Sequence, residues 1–371
     1  MAAVYVGLIS GTSMDGIDAV VADFAAPQPR LLAALTQPFD PTVQEELDRL
    51  RLDPDHYPVG RMARLDAILA DRFAVAALAA AEQAGLPPER IRAIGSHGQT
   101  VLHRPDASPP HTLQIGDPHR IAAQTGIVVV ADFRRADMAA GGQAAPLAPL
   151  LHQALLARAG ENRVVINLGG IANITLLGAS GTVSGFDTGP ANCFLDWWYR
   201  QHYPERFDQD GQWAAGGRVD ADWLERLLAD PYFKRPAPKS TGIEYFSIDW
   251  LKQRLPAWSA QRARDVQATL AELTAMSVVH SIQAAMPGSP DRVLLCGGGA
   301  HNNDLAGRIH RHLPESILET TEEHGLPADF VEAMLFAWLA RERLAERFID
   351  SGPVTGARWP VLLGSVHRPA R

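Results

Sequence analysis

Residues 4–24 read VYVGLISGTSMDGIDAVVADF. Two apolar runs flank a break made of Gly11, Thr12, Ser13, Met14, Asp15 and Gly16. The runs have strand composition, so the stretch predicts a β-hairpin over 3–10 and 17–24 with a glycine-tipped turn. Glycine lets another group approach the main chain closely. A tip of glycines and hydroxyls points several N–H and O–H groups one way, and such a nest binds anions, above all phosphate. Asp15 is out of place in an anion site unless a divalent cation is there too. Nucleotide phosphates with Mg²⁺ meet both conditions. A plain hairpin turn draws on the same residue types, so this loop alone leaves both readings open.

The pattern recurs. Residues 163–177, RVVINLGGIANITLL, are again strand, glycine turn and strand. Asp187-Thr188-Gly189 and Gly297-Gly298-Gly299 also follow short apolar runs. Helical spacing is expected over 61–84, which Gly85 closes, and over 259–287, 303–313 and from Pro327 to about Arg347. Asp117-Pro118 marks a further helix start and Gly126 its end. Residues 92–100 predict a short strand running into a polar loop, and 127–130 a buried strand. A strand through 182–186 is expected to end near Asp187, just before a helix from Pro190. Alternating strands and helices argue for α/β sheets. The chain reads as a duplicated α/β plan with its boundary in 134–150, where small residues and proline concentrate.

With 371 residues, the chain is long for one core and fits two domains. A net charge of −8 disfavours nucleic-acid and anionic-membrane partners. Two cysteines give neither a metal spacing nor a disulfide framework. No signal-like segment and no apolar run of spanning length stands out, so a cytoplasmic protein is expected. No Gly-Lys-Ser/Thr is present and no G-x-G-x-x-G follows a strand, which disfavours P-loop and Rossmann sites. Lysine occurs only at 234, 239 and 252, so phosphate charge must be met by backbone amides, arginine and Mg²⁺.

Nine segments together resemble one family: GTSMDGID (11–18), SHGQTVLH (96–103), ADFR (131–134), INLGGIANIT (166–175), FDTGPAN (186–192), PKSTG (238–242), DVQATLAELTA (265–275), CGGGAHN (296–302) and GLPADFVEAM (325–334). They resemble the anhydro-N-acetylmuramic acid kinases of the actin, Hsp70 and sugar-kinase superfamily, in family order and over nearly the whole length. The resemblance implies two actin-like (ribonuclease H-like) α/β domains, with mixed sheets flanked by helices and an ATP cleft between them. The division expected is 1–138, with the tail 352–371, and 139–351. Three positions depart from or vary within the family pattern. Ala144 and Ile243 stand where the family usually has Gly and Arg, and Ala191 where Gly or Ala occurs.

The implied reaction uses ATP and Mg²⁺. ATP phosphorylates O6 of 1,6-anhydro-N-acetylmuramic acid while water opens the anhydro bridge, giving N-acetylmuramic acid 6-phosphate in cell-wall recycling and amino-sugar catabolism. The leaving oxygen is itself the phosphoryl acceptor, so a base is needed but no proton donor. The resemblance makes Asp187 that base. It assigns Gly11, Thr12, Ser13, Met14, Asp15, Gly16, Ile17 and Asp18 to the first phosphate loop, and Gly169, Gly170 and Asn173 to the second. Gly297, Gly298 and Gly299 approach the nucleoside. Asp15 reads equally as a carboxylate reaching Mg²⁺ through water and as a turn residue, and the metal ligands stay open. His97, Arg134 and Glu332 are the sugar-site candidates. Arg134 suits the lactyl carboxylate, since a guanidinium matches a carboxylate with two hydrogen bonds. The partners expected are the sugar and ATP, with no nucleic acid and no membrane, and a homodimer left open. Rival readings are a kinase of another anhydro sugar or sugar acid, and an ATP-driven switch of the Hsp70 or actin kind, for which 352–371 is too short to supply a peptide-binding domain.

Overall fold

The computed structural model describes residues 3–11, 14–255 and 262–370. The chain forms two compact units, residues 1–151 with 325–371, and residues 152–324. Each is an α/β unit around one mixed sheet.

The sheet of the first unit contains β1 (Val4–Ser10), β2 (Gly16–Asp23), β3 (Arg30–Pro38), β4 (Ala93–Arg104), β5 (His111–Ile115), β6 (Val129–Ala131) and β12 (Ser365–His367). Its order is β12-β6-β4-β1-β2-β3, with β5 paired to β4. The second sheet contains β7 (Arg163–Leu168), β8 (Ile171–Leu177), β9 (Val183–Pro190), β10 (Arg292–Cys296) and β11 (Ile317–Thr320) in the order β11-β10-β7-β8-β9. Each unit thus opens with a three-stranded antiparallel meander and then adds parallel strands beside its first strand. The shared order bears out the duplicated plan and the ribonuclease H-like expectation. Strand β3 and hairpin partner β5, both with polar faces, are absent from the sequence reading.

Every position of β1 is buried, as in a strand covered on two faces. Val4, Val6 and Leu8 share a core with Leu65, Leu69 and Phe73 of the helix Val59–Gln83. The alternate face meets the helix Val331–Leu344. A Cβ on Gly7 would lie 1.8 Å from the Ala333 carbonyl oxygen, and one on Gly95 2.0 Å from that of Phe336. Gly7 and Gly95 are register partners on β1 and β4. Two facing glycines therefore let this helix sit directly on the sheet, and that placement sets where Glu332 stands.

The boundaries differ from 138/139 and 351/352. Asp137 is fully buried and accepts from the Ala144 amide (2.7 Å), the Thr355 hydroxyl (2.7 Å) and the Ser351 hydroxyl. Gln143 N donates to Thr355 O and Arg358 N to Ala140 O. These bonds knit 137–144 to 351–358, and the helix Val331–Leu344 packs on the first sheet, so both segments belong to the first unit. The helix expected over 259–287 spans Ala263–Ala285, and residues 259–261 lie outside the described residues.

Candidate functional site

In the first unit, the hairpin tip, Arg134 and Glu332 gather near the carboxyl ends of β1 and β6, where open α/β sheets place ligands, with His97 of mid-β4 beside them. Thr12 and Ser13 lie outside the described residues. Gly11 has open space where a Cβ would point. Its carbonyl accepts from the Met14 amide (3.2 Å) and from Gln99 Nε2 (3.3 Å), which closes the turn and ties it to β4. Gln99 Oε1 in turn accepts from Ser10 Oγ at 2.6 Å. Gln99 is thus a site-organising residue that the sequence offered only as part of SHGQTVLH. Met14 and Ile17 turn their side chains into the core. The Met14 amide is already bonded to the Gly11 carbonyl. Gly16 is required by packing, since a Cβ there would meet the Gln37 carbonyl oxygen at 2.7 Å.

His97 is not in a polar loop. Strand β4 runs on through Arg104, because β5 pairs with its second half, and His97 is buried within it. Arg134 Nε lies 2.9 Å from His97 Nε2. A guanidinium only donates, so Nε2 accepts, and the ring proton sits on Nδ1, 3.0 Å from the Gly98 carbonyl. Burial, and the Arg134 charge after it, hold His97 well below its usual pKa, in keeping with a neutral ring. With both nitrogens used, His97 positions Arg134 instead of offering itself to a ligand.

Arg134 also donates from Nη1 to the Ala144 carbonyl at 2.6 Å. It has no carboxylate within ion-pair distance among the described residues. Burial lowers its pKa, against the pull of Glu332 and Asp137. Glu332, in the first turn of its helix, is open to solvent. Surrounding protein still desolvates its carboxyl and raises its pKa; Arg134 opposes the rise and Asp18 adds to it. Asp18, half-buried on β2, accepts from Thr36 Oγ1 at 2.6 Å. Its pKa is raised by burial, and Asp15 and Asp329 add to the rise. Crowded carboxylates next to a hairpin tip suit a hard divalent cation shared with phosphate oxygens. No group of three or more His, Cys, Asp or Glu able to hold a metal by itself occurs among the described residues.

In the second unit, Asp187 lies inside β9, not at a strand end before a helix. The strand continues to Pro190, and the helix Asn192–Tyr199 starts after Ala191. Asp187 is directly opposite Asn173 on β8, which is opposite Asn167 on β7. The register therefore brings Asn173 beside the proposed base. Thr241 N donates to Asp187 Oδ2 at 3.0 Å, Tyr232 Oη to its carbonyl at 2.8 Å, and its own amide to Lys239 O at 3.1 Å. Burial raises the Asp187 pKa, opposed only by the Thr241 amide, and no cation pairs with it among the described residues. The carboxylate keeps one oxygen uncommitted and is made more basic than an ordinary aspartate, as a general base requires.

The Gly169 and Gly170 carbonyls accept from the amides of Asn192, Ala191 and Cys193, which fixes the second turn against a helix start. Exposed Ile243 lies near Gly170, at the edge of the PKSTG loop. In the triplet, Gly297 (φ 77°) and Gly299 are demanded by Asn167 and Leu168, whereas a Cβ on Gly298 would meet nothing within 4 Å. Packing explains two of these glycines; the middle one leaves main chain open to a ligand. Trp198, Trp223 and Trp250 are buried, as packing residues should be. No helix among the described residues is long and apolar enough to cross a membrane.

The chain matches the family model for anhydro-N-acetylmuramic acid kinase over residues 3–369. A protein of that name from Xanthomonas axonopodis pv. citri is 49% identical over 366 residues, 98% of this chain and 97% of the relative. Another from Chromohalobacter salexigens is 47% identical over 369 residues, 98% of this chain and 99% of the relative. Among solved structures, an activator of 2-hydroxyisocaproyl-CoA dehydratase from Clostridium difficile aligns with 92% of this chain and 96% of its own. The identity is 12% and the TM-score 0.45.

Proposed function

The chain belongs to the anhydro-N-acetylmuramic acid kinase family, and on that premise we propose that it uses ATP to phosphorylate O6 of 1,6-anhydro-N-acetylmuramic acid as water opens the anhydro bridge. The products are N-acetylmuramic acid 6-phosphate and ADP, in cytoplasmic cell-wall recycling and amino-sugar catabolism.

Asp187 takes a proton from water through Oδ1 as the water oxygen bonds to the anomeric carbon. The C1–O6 bond breaks, and its electron pair on O6 attacks the γ-phosphorus, so no acid is needed at the leaving oxygen. ADP leaves as the bond to the β-phosphate oxygen breaks. Arg134, oriented by His97, receives the lactyl carboxylate, and Glu332 faces the sugar. The glycine-tipped turns at 11–16 and at Gly169-Gly170 bind phosphate oxygens, and Gly298 offers main chain to the nucleoside. Mg²⁺ would neutralise phosphate charge when bound, and Asp15 and Asp18 are the carboxylates that would help to hold it.

The observation that carries this reading is the Asp187 carboxylate: poorly solvated, with no cation paired to it among the described residues, and held at one oxygen only. The arrangement of Arg134 favours a substrate with a carboxylate over an anhydro-hexose without one. Turnover in ¹⁸O-labelled water tests the proposal. The label should appear on the anomeric carbon and not in the phosphate; label in phosphate, or none in the sugar, would overturn it.

A further inference from the structure

The segment that clamps Asp187 carries a hydroxyl with nothing to bond. Thr241 gives its amide to Asp187 Oδ2, yet its Oγ1 is buried and has no hydrogen-bond partner among the described residues. An unpaired buried hydroxyl is costly, and its persistence calls for a reason. The segment around it is otherwise tightly satisfied. Asp230, 2% exposed, accepts from Tyr232 N, Tyr245 Oη and Trp250 Nε1 at 2.8 Å each and from Arg254 Nη2 at 2.5 Å. Tyr232, anchored there, donates to the Asp187 carbonyl. Lys239 Nζ is held by the Tyr232 and Phe233 carbonyls. The Tyr232 hydroxyl, the Lys239 carbonyl and the Thr241 amide all bond to Asp187, so the Thr241 hydroxyl stands on a braced frame beside it.

We propose that Thr241 is a further catalytic residue, whose hydroxyl holds the water that Asp187 deprotonates. The inference rests on the reading of Asp187 as base. A nucleophilic water needs two acceptors to fix its lone pair toward the sugar. It gives one proton to Asp187 Oδ1 and directs its second O–H to Thr241 Oγ1, which keeps its own proton. One χ1 rotation re-aims a threonine hydroxyl, so the missing partner arrives with the substrate and its water.

Thr241→Val keeps the shape and the amide but removes the hydroxyl. Its kcat should fall about tenfold or more, the worth of at least one hydrogen bond, with the KM for sugar and for ATP unchanged. Its Tm should be equal or higher, since an unpaired polar group is gone. Thr241→Ser should recover most of the rate. Wild-type kcat in Thr241→Val overturns the assignment. Should that variant not fold, Thr241→Ala and Thr241→Ser decide, and equal kcat in these two overturns it as well. Asp187→Asn separates the two readings. Normal turnover there removes the base itself, whereas an inactive Asp187→Asn beside a fully active Thr241→Val removes only the role of Thr241.

Discussion

Arg134 Nε donates to Nε2 of His97 across 2.9 Å, and this one contact fixes the state of both side chains. The imidazole must be neutral to accept, and the guanidinium is thereby aimed while its remaining N–H groups bond no carboxylate among the described residues. A desolvated cation with no carboxylate bonded to it among the described residues is well suited to receive one from a ligand.

Arg134→Gln should therefore raise the KM for 1,6-anhydro-N-acetylmuramic acid by about 10- to 100-fold, the value of a charged hydrogen bond. It should have little effect on an anhydro sugar that lacks the lactyl group. Steady-state kinetics with both sugars checks this, and equal losses on the two would remove the lactyl assignment. His97→Leu should share the selective loss in weaker form.

Acid should weaken the fold through buried histidine. His152 is 2% exposed, its Nδ1 lies 2.9 Å from Thr175 Oγ1, and burial pushes its pKa down to about 3. The unfolded chain takes up a proton near pH 6.5 while the folded one does not, so stability is full above that value and declines as pH falls from 6.5 toward 3. Between pH 7 and 5 this one group should cost about 2 kcal/mol. Urea unfolding at the two pH values measures it, and His152→Gln should flatten the dependence.

The glycine triplet separates packing from binding. Gly299→Ala should destabilise by about 1–3 kcal/mol, because its Cβ would lie 2.6 Å from Leu168 Cβ. Gly298→Ala should leave the Tm unchanged and raise the KM for ATP. Thermal melts and ATP titrations on the two variants distinguish these outcomes.

Ala144 holds a left-handed backbone, φ 59°, while fully buried. Its carbonyl receives Arg134 and its amide binds Asp137. Ala144→Gly should relieve about 1 kcal/mol of strain and raise the Tm by about 2–4 °C, with kcat retained. A lower Tm would mean that glycine's extra freedom in the unfolded chain outweighs the strain.

Local chemistry fixes what a short stretch can form. Alternating apolar runs, glycine tips and caps such as Asp117 and Gly126 announced the two hairpins, several helices and the duplicated plan from sequence alone. The Gly169-Gly170 and Gly297–Gly299 neighbourhoods were legible as strand edges for the same reason. Long-range register was not. His97 looked like a loop residue because nothing local reveals that β5 returns to pair with 99–104 and prolongs the strand beyond it. Asp187 looked like a strand end because the bonds from Tyr232, Lys239 and Thr241 come from more than forty residues away. The first unit reclaimed 139–151 and 325–351 through the buried Asp137 and the Gly7–Gly95 seat, contacts that pay off only once distant segments meet. Sequence thus chose the elements and the reactive groups. Tertiary structure decided which groups are desolvated, which are already spent on neighbours, and which remain free to act, because burial and hydrogen-bond pairing are properties of the packed chain.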